Sequence, residues 1–177
     1  MEPKAAELER LFEKLTALLY DTDVPMDVLE AEVVPYLGPD VTFVDPWQSG
    51  AGRERYRLGL AGFHAMFRFH FEVLQVGVRP PRGAERGRAI VDGVMQLKQL
   101  SPLLVYPLRT IVTYGFDLGG SGKPVIHAHE EMWSFGDMLA AVPALGSFYS
   151  RVFRPAFSRG FLVASALASR SRAGMRA

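Results

Sequence analysis

Apolar positions fall at helical spacing near the start of the chain. Leu8, Leu11, Phe12, Leu15, Leu18 and Leu19 share one face and predict an amphipathic helix over residues 4–20. Asp27, with Glu30 three positions on, has the form of a capping box. Leu29, Val33 and Leu37 then predict a second, short helix that must contend with Pro35. Residues 41–44 read as a short strand that stops at Asp45-Pro46 and passes into a glycine-containing loop. Tyr56, Leu60, Phe63 and Phe67 form the buried stripe of a third helix, in which Gly59 and Gly62 would permit close approach to a sheet.

From residue 69 the texture becomes strand-like. Residues 69–78, 88–99, 108–118 and 125–135 predict four strands, broken by a Pro/Gly-rich stretch at 80–87 and a hairpin turn at 119–123. Helices first and antiparallel strands afterwards predict an α+β domain over residues 1–136, its helices packed on one face of a strongly bent antiparallel sheet. Residues 137–177 form a separate extension. From Leu139 they read as one or two helices broken at Pro155, with Leu145, Phe148, Tyr149 and Val152 on the apolar face and residues 169–177 disordered.

Composition narrows the function classes. Apolar residues make up 49% and charged residues 22%, as in soluble globular domains. A net charge of +1 supplies no basic field for nucleic acid, and no nucleic-acid motif is present. The absence of cysteine removes disulfides, thiolate nucleophiles and Cys-ligated metals. No apolar run reaches the roughly 18 residues of a membrane span. The charged N-terminus lacks a signal-peptide core, so the expected location is cytoplasmic.

Charge is nonetheless uneven. No acidic residue follows Asp137, whereas Arg151, Arg154, Arg159, Arg170, Arg172 and Arg176 do. Interleaved with Phe148, Phe153, Phe157 and Phe161, they suggest an interfacial helix over residues 139–168. It could be a peripheral membrane contact, or a docking face for a protein partner or for the chain's own domain. The apolar stretch at residues 100–108, LSPLLVYPL, sits where a hairpin connection should be polar and suggests a covered or partner-binding surface.

Candidate chemistry concentrates at two places. Asp45, where a strand ends, can point into the mouth of a pocket as a general base, or can cap its own turn. His127, His129, Glu131 and Trp133 alternate along the last strand and are expected on one face, with His129 as proton-transfer partner. A His-x-His pair without a third ligand gives no metal site, and no cofactor is called for. Arg109 could hold an anionic ligand or enter an ion pair on the sheet surface, and Asp92 and Tyr114 are further polar groups of the strands. Trp47 closes over the pocket or packs beneath the turn, and Tyr56 faces it from the third helix. His64 and His70 read as helix-end or sheet-surface histidines.

The run Val41-Thr42-Phe43-Val44-Asp45-Pro46, the helix bearing Tyr56 and Phe63, and the strand ending His129-Glu130-Glu131-Met132-Trp133 resemble the nuclear-transport-factor-2-like superfamily, which includes SnoaL-like cyclases and ketosteroid isomerases. The resemblance spans roughly residues 5–136. It implies a cone-shaped α+β fold with an apolar pocket at its open end, an apolar small-molecule ligand and a homodimer formed through the sheet. It also places Asp45 on the catalytic base of the ketosteroid isomerases. That enzyme's oxyanion-hole tyrosine and protonated aspartate are not matched: Leu11, Phe12 and Leu15 occupy the first place and Val112 the second. Isomerase, cyclase or dehydratase chemistry without a cofactor would fit Asp45 and His129. A non-catalytic interaction module is the alternative.

Overall fold

The computed structural model describes residues 5–83, 85–100, 104–120, 122–140, 142 and 144–162. Residues 101–103 of the apolar stretch, the end of the basic extension and the expected disorder at 169–177 lie outside them. The chain divides into two compact units, Met1–Ser134 and Phe135–Ala177.

The first unit opens with α1 (Ala5–Leu19), whose stripe Leu8, Phe12, Leu15 and Leu19 is buried as the periodicity predicts. Next come α2 (Met26–Glu32), a 3₁₀ turn at Val34–Tyr36 and β1 (Leu37–Val44). The second helix is therefore shorter than expected. Pro35 blocks continuation of an α-helical ladder, so Leu37 begins a strand instead of ending a helix. The capping box does not form either. Pro25 occupies the N-cap, and the Asp27 carboxylate accepts from Val28 N–H next to it.

A three-residue edge strand, β2 (Ser49–Ala51), lies within what reads as loop. It is followed by α3 (Arg53–Met66), β3 (Phe69–Arg79), β4 (Gly87–Leu100), β5 (Leu104–Leu118) and β6 (Pro124–Trp133). The strands form one open, six-stranded sheet in the order β2-β1-β6-β5-β4-β3. Among the described residues every pairing is antiparallel except β1–β6, which is parallel. The sheet is thus mixed, because β1 runs in the same direction as the β6 strand it joins while the hairpins β3 to β6 alternate. The turn at 119–123 closes through Gly119 N–H to Lys123 O at 2.9 Å.

The core lies between α1, α3 and the inner face of the sheet. Phe12 packs on Tyr114 and Phe116 with ring centroids 5.3 and 4.9 Å away. Val91, Val112 and Phe116 are fully buried beneath it. Gly93 faces Val73 at the edge of a register shift between β3 and β4. A Cβ there would lie 2.2 Å from the Phe71 ring and 2.6 Å from the Glu72 carbonyl oxygen, beside the irregularity in β3 between Val73 and Gln75.

The second unit holds α4 (Phe135–Ala140) and α5 (Leu145–Phe148), the latter running on through a π-turn at Tyr149–Phe153 to residue 162. Pro155 does not break this helix. The wider π-turn, closed by Arg154 N–H to Tyr149 O, precedes it and makes room for the ring.

Candidate functional site

A cavity of about 200 Å³ opens between β1, α1, α3 and β6, lined on its apolar side by Leu19, Val41, Phe43, Leu60 and Phe63. Gly59 lines it as well. No atom lies within 4 Å of where its Cβ would be, so in this helix the glycine leaves space for the pocket and does not bring the helix against the sheet. Nor does Gly62 mark such an approach, since the nearest atom is Met66 Cε at 3.9 Å.

The polar side of the pocket comes from β6, and it depends on a bulge. Gly115 pairs with Ala128 but Phe116 pairs with Ile126, which leaves His127 as an extra residue. Pro124 and Ile126 face inward before it; His129 and Glu131 face inward after it. The expected single face of His127, His129, Glu131 and Trp133 is therefore split. His127 leaves the row and sets its Nε2 3.0 Å from Asp117 Oδ2.

His129 is fully enclosed and bonded at both ring nitrogens. Tyr20 Oη lies 2.8 Å from Nε2 and Tyr56 Oη 2.6 Å from Nδ1. Tyr114 stacks on its ring with centroids 4.8 Å apart. The Tyr114 hydroxyl is committed elsewhere. Thr16 Oγ1 donates to Phe12 O at 2.7 Å, so Tyr114 must donate to Thr16, 3.0 Å away. Burial holds the His129 pKa down at about 3, so the ring is neutral at physiological pH although its Nε2 lies 4.0 Å from Glu131 Oε1.

Glu131 is buried beside it. Its Oε1 takes the Tyr20 hydroxyl at 2.5 Å and its Oε2 takes Trp133 Nε1–H at 2.9 Å. Burial pushes its pKa up to about 7; the two donors act the other way, and the nearby charge of Asp45 adds to the rise. Burial, and after it the neighbouring Glu131, also raises the Tyr20 phenol well above its ordinary range, and Tyr56 is raised by burial first.

Asp45 lines the same pocket, but its oxygens serve its own turn. Oδ1 accepts from Trp47 N–H at 2.6 Å and Gln48 N–H at 2.8 Å, and Oδ2 from Gln48 Nε2 at 3.1 Å.

Of the residues singled out from sequence, Asp45, Tyr56, His129 and Glu131 line the pocket. Tyr114 and Trp133 support its lining from behind and beside. Trp47 is 73% exposed and meets Trp133 edge-on, so it neither covers the pocket nor packs beneath the turn. Arg109 is not in the lining; it forms a two-pronged ion pair with Asp92, one arm at 2.6 Å. His64 stands in the last turn of α3, as a helix-end histidine, buried with Nε2 3.2 Å from Leu19 O, and His70 pairs with Asp21. Tyr20, Gln48 and Arg55 are lining residues that sequence reasoning missed. Tyr20 directly follows Leu19 in an apolar stripe and reads there as core. Among the described residues no group of three His, Asp or Glu side chains is arranged to hold a metal ion, and no helix is long and apolar enough to cross a membrane.

No sequence-family profile and no curated protein matches the chain. Solved structures do match. Nuclear transport factor 2 from Cryptosporidium parvum superposes with a TM-score of 0.57 at 14% identity, over 76% of this chain and 98% of that one. ActVI-ORFA from Streptomyces coelicolor gives 0.57 at 11%, over 73% and 96%. A hypothetical protein with a ketosteroid isomerase-like fold from Catenulispora acidiphila, in complex with trimethylamine, gives 0.53 at 15%, over 81% and 97%. At these identities the likeness concerns architecture. The chain has the nuclear-transport-factor-2-like fold, with a helical extension.

Proposed function

We propose that the pocket binds a compact small molecule with an apolar body and one polar group, and that Glu131 exchanges a proton with it in isomerase-, cyclase- or dehydratase-type chemistry. The observation that carries this reading is a carboxyl group buried in the wall of an otherwise largely apolar cavity, where burial pushes its pKa up to about 7. A general base works best when its pKa lies near the working pH. In the step envisaged, ionised Glu131 takes a proton from carbon next to a ligand carbonyl. The C–H electron pair moves into the enolate, and the proton returns at another position.

This moves the proton-carrying role away from Asp45, which is half-buried and takes three donors from its own turn, to Glu131, which is buried and takes one donor on each oxygen. It also leaves His129 to position the two tyrosines. Val112, standing where the resemblance would put a second acid, pairs directly with Glu131 across β5 and β6, and both are buried on the inner face. The carboxyl group missing from one strand is thus supplied by the next. The Catenulispora protein, which holds trimethylamine, supports a small occupant for a pocket of this fold.

The test is hydrogen–deuterium exchange at the α-carbon of small cyclic ketones and enones that bind in ligand-observed NMR. Exchange should fall by about 100-fold or more in Glu131→Gln, with binding retained. Equal exchange by both proteins removes the role of Glu131, and a pocket that takes none of these compounds removes the reading.

A second reading concerns the extension. Tyr149, Phe153 and Phe157 stack in sequence along the helix with centroids 5.8 and 5.9 Å apart, and Phe157 and Phe161 are exposed beside Arg154 and Arg159. Such a face suits an anionic membrane surface or a partner protein. Equal sedimentation with phosphatidylserine vesicles by the whole chain and by residues 1–138 would eliminate the membrane form. The exposed Ile111 and Met132, paired across β5 and β6, are where a second copy would sit. Light scattering should then show a dimer that Ile111→Asp dissociates.

A further inference from the structure

The four groups Glu131, Tyr20, His129 and Tyr56 form one unbranched chain of hydrogen bonds, and counting its protons leaves two arrangements. Tyr20 has a single hydroxyl proton and two partners, Glu131 Oε1 at 2.5 Å and His129 Nε2 at 2.8 Å. Neutral His129 has one N–H and two hydroxyl partners. When Glu131 is ionised it can only accept, so Tyr20 donates to it. His129 must then donate from Nε2 to Tyr20, and Nδ1 accepts from Tyr56. The Tyr56 proton points inward, and its oxygen faces the pocket with a free lone pair.

When Glu131 is protonated every link reverses. Trp133 Nε1–H bonds better to a carbonyl oxygen than to an acid hydroxyl, which favours the acid proton on Oε1, where it is given to Tyr20. Tyr20 donates to Nε2, the ring carries its proton on Nδ1 and gives it to Tyr56. If the ring kept its Nε2 proton instead, Tyr20 would face two donors and its own proton would lack an acceptor in a buried site, which is unfavourable. Among the described residues His129 is the one hydrogen-bond partner of the Tyr56 hydroxyl. In the reversed chain the Tyr56 proton is therefore left for whatever occupies the pocket.

We propose that the protonation state of Glu131 decides, through Tyr20 and His129, whether Tyr56 offers the pocket a hydroxyl proton or an oxygen lone pair, so that a carbonyl or enolate oxygen is held more tightly when Glu131 is neutral, as it becomes on taking a ligand's proton, and a hydroxyl- or ammonium-bearing ligand more tightly when it is ionised. The ligand half of this rests on the pocket reading above; the chain reversal does not. The charged groups sharing the pocket with Glu131 are Asp45, which opposes its ionisation, and Arg55 on α3. Tyr114 on β5 is committed to Thr16 and stays outside the chain. The carboxyl titrates near neutrality while the ring stays neutral, which puts the reversal in an accessible pH range.

The experiment reads the His129 tautomer by long-range proton–nitrogen NMR on the unliganded protein. In Glu131→Gln the amide oxygen takes the Trp133 N–H and the amide NH₂ faces Tyr20, which imitates the protonated acid at every pH. Wild-type protein at pH 8.5 should show the Nε2–H tautomer and Glu131→Gln the Nδ1–H tautomer, the two nitrogens exchanging their shifts. In wild type the same exchange should follow the Glu131 carboxyl carbon on acidification, and in Tyr20→Phe it should no longer do so. The same tautomer in wild type and Glu131→Gln at pH 8.5, or an imidazolium in place of a tautomer exchange, overturns the proposal. At pH 8.5 cyclohexanone should bind roughly fivefold tighter to Glu131→Gln than to wild type, and cyclohexanol should not. If neither probe binds, the pocket reading falls while the tautomer comparison still decides the reversal.

Discussion

Tyr20 and Glu131, 111 positions apart in the chain, meet at 2.5 Å in the wall of the pocket. Their contact stands beside a second buried group, His129, whose pKa moves the opposite way, and this shapes how stability responds to pH. Glu131, raised to about 7, binds its proton more tightly folded than unfolded. Its stabilising contribution is present at low pH and is lost as pH rises from about 4.5 to 7. His129, lowered to about 3, binds its proton less tightly folded, so its contribution is lost as pH falls from about 6.5 to 3. Between roughly pH 4.5 and 6.5 the two slopes oppose each other. Glu131→Gln should expose the His129 slope, so that unfolding free energy rises with pH by up to about 1.4 kcal/mol per unit across that window. Urea denaturation at half-unit pH steps measures it, and parallel curves for both proteins would contradict it.

Asp45→Asn should preserve the turn, because an amide oxygen can accept from Trp47 and Gln48, yet remove the negative charge that helps hold Glu131 protonated. The Glu131 carboxyl midpoint, followed by carbon NMR, should therefore move down while the unfolding midpoint stays. Asp45→Ala should in addition lose about 1 kcal/mol of stability as the turn N–H groups lose their acceptor. An unmoved Glu131 midpoint in Asp45→Asn would show that the two carboxylates do not sense each other.

Gly59 lies in a helix interior with open space where its side chain would be. Gly59→Ala should stabilise the domain by up to about 1 kcal/mol through helix propensity. Gly59→Leu should keep the fold and fill the cavity, so that ligands identified for the wild type no longer bind. A leucine variant that binds them unchanged would place the ligand elsewhere.

Gly93→Ala should do the reverse. Its Cβ would run into the Phe71 ring and the Glu72 carbonyl, and Phe71 itself packs on Tyr20 with centroids 5.2 Å apart. Chemical denaturation should show a loss of about 1–3 kcal/mol, accompanied by shift changes at Tyr20 and His129. A wild-type midpoint would mean that Phe71 moves aside at no cost.

Much of the architecture was legible in the pattern. The stripe of α1 and the long strands β3 to β6 are periodic over enough residues for burial to impose one answer. What escaped lacks periodicity. A three-residue edge strand such as β2 has no room for alternation, and Pro35 turns an apparent helical stripe into a strand start. The pocket was half visible: Asp45, Tyr56, His129 and Glu131 are polar or aromatic groups in otherwise apolar elements. Tyr20 was hidden because its hydroxyl makes it polar only once His129 and Glu131 arrive beside it. His127 was misplaced because strict alternation is broken by a bulge, which period-2 reasoning cannot register. Arg109 and Asp92 show the limit of residue type alone, since two strand charges facing one another satisfy each other at the surface.

The bulge at His127 also divides β6 into two segments of opposite phase, one contributing to the core and the other to the pocket. Point substitutions in one segment leave the phase of the other untouched, so the pocket wall can be altered side chain by side chain without disturbing the packing of Ile126. A change in length behaves differently. Removing residue 130 would turn Glu131 to the opposite side of the sheet and bring Met132 inward, whereas removing residue 127 would only erase the bulge and leave Ile126, His129 and Glu131 all facing inward. Away from its bulge, this strand is thus tolerant of altered spelling and intolerant of a shifted reading frame within its own fold.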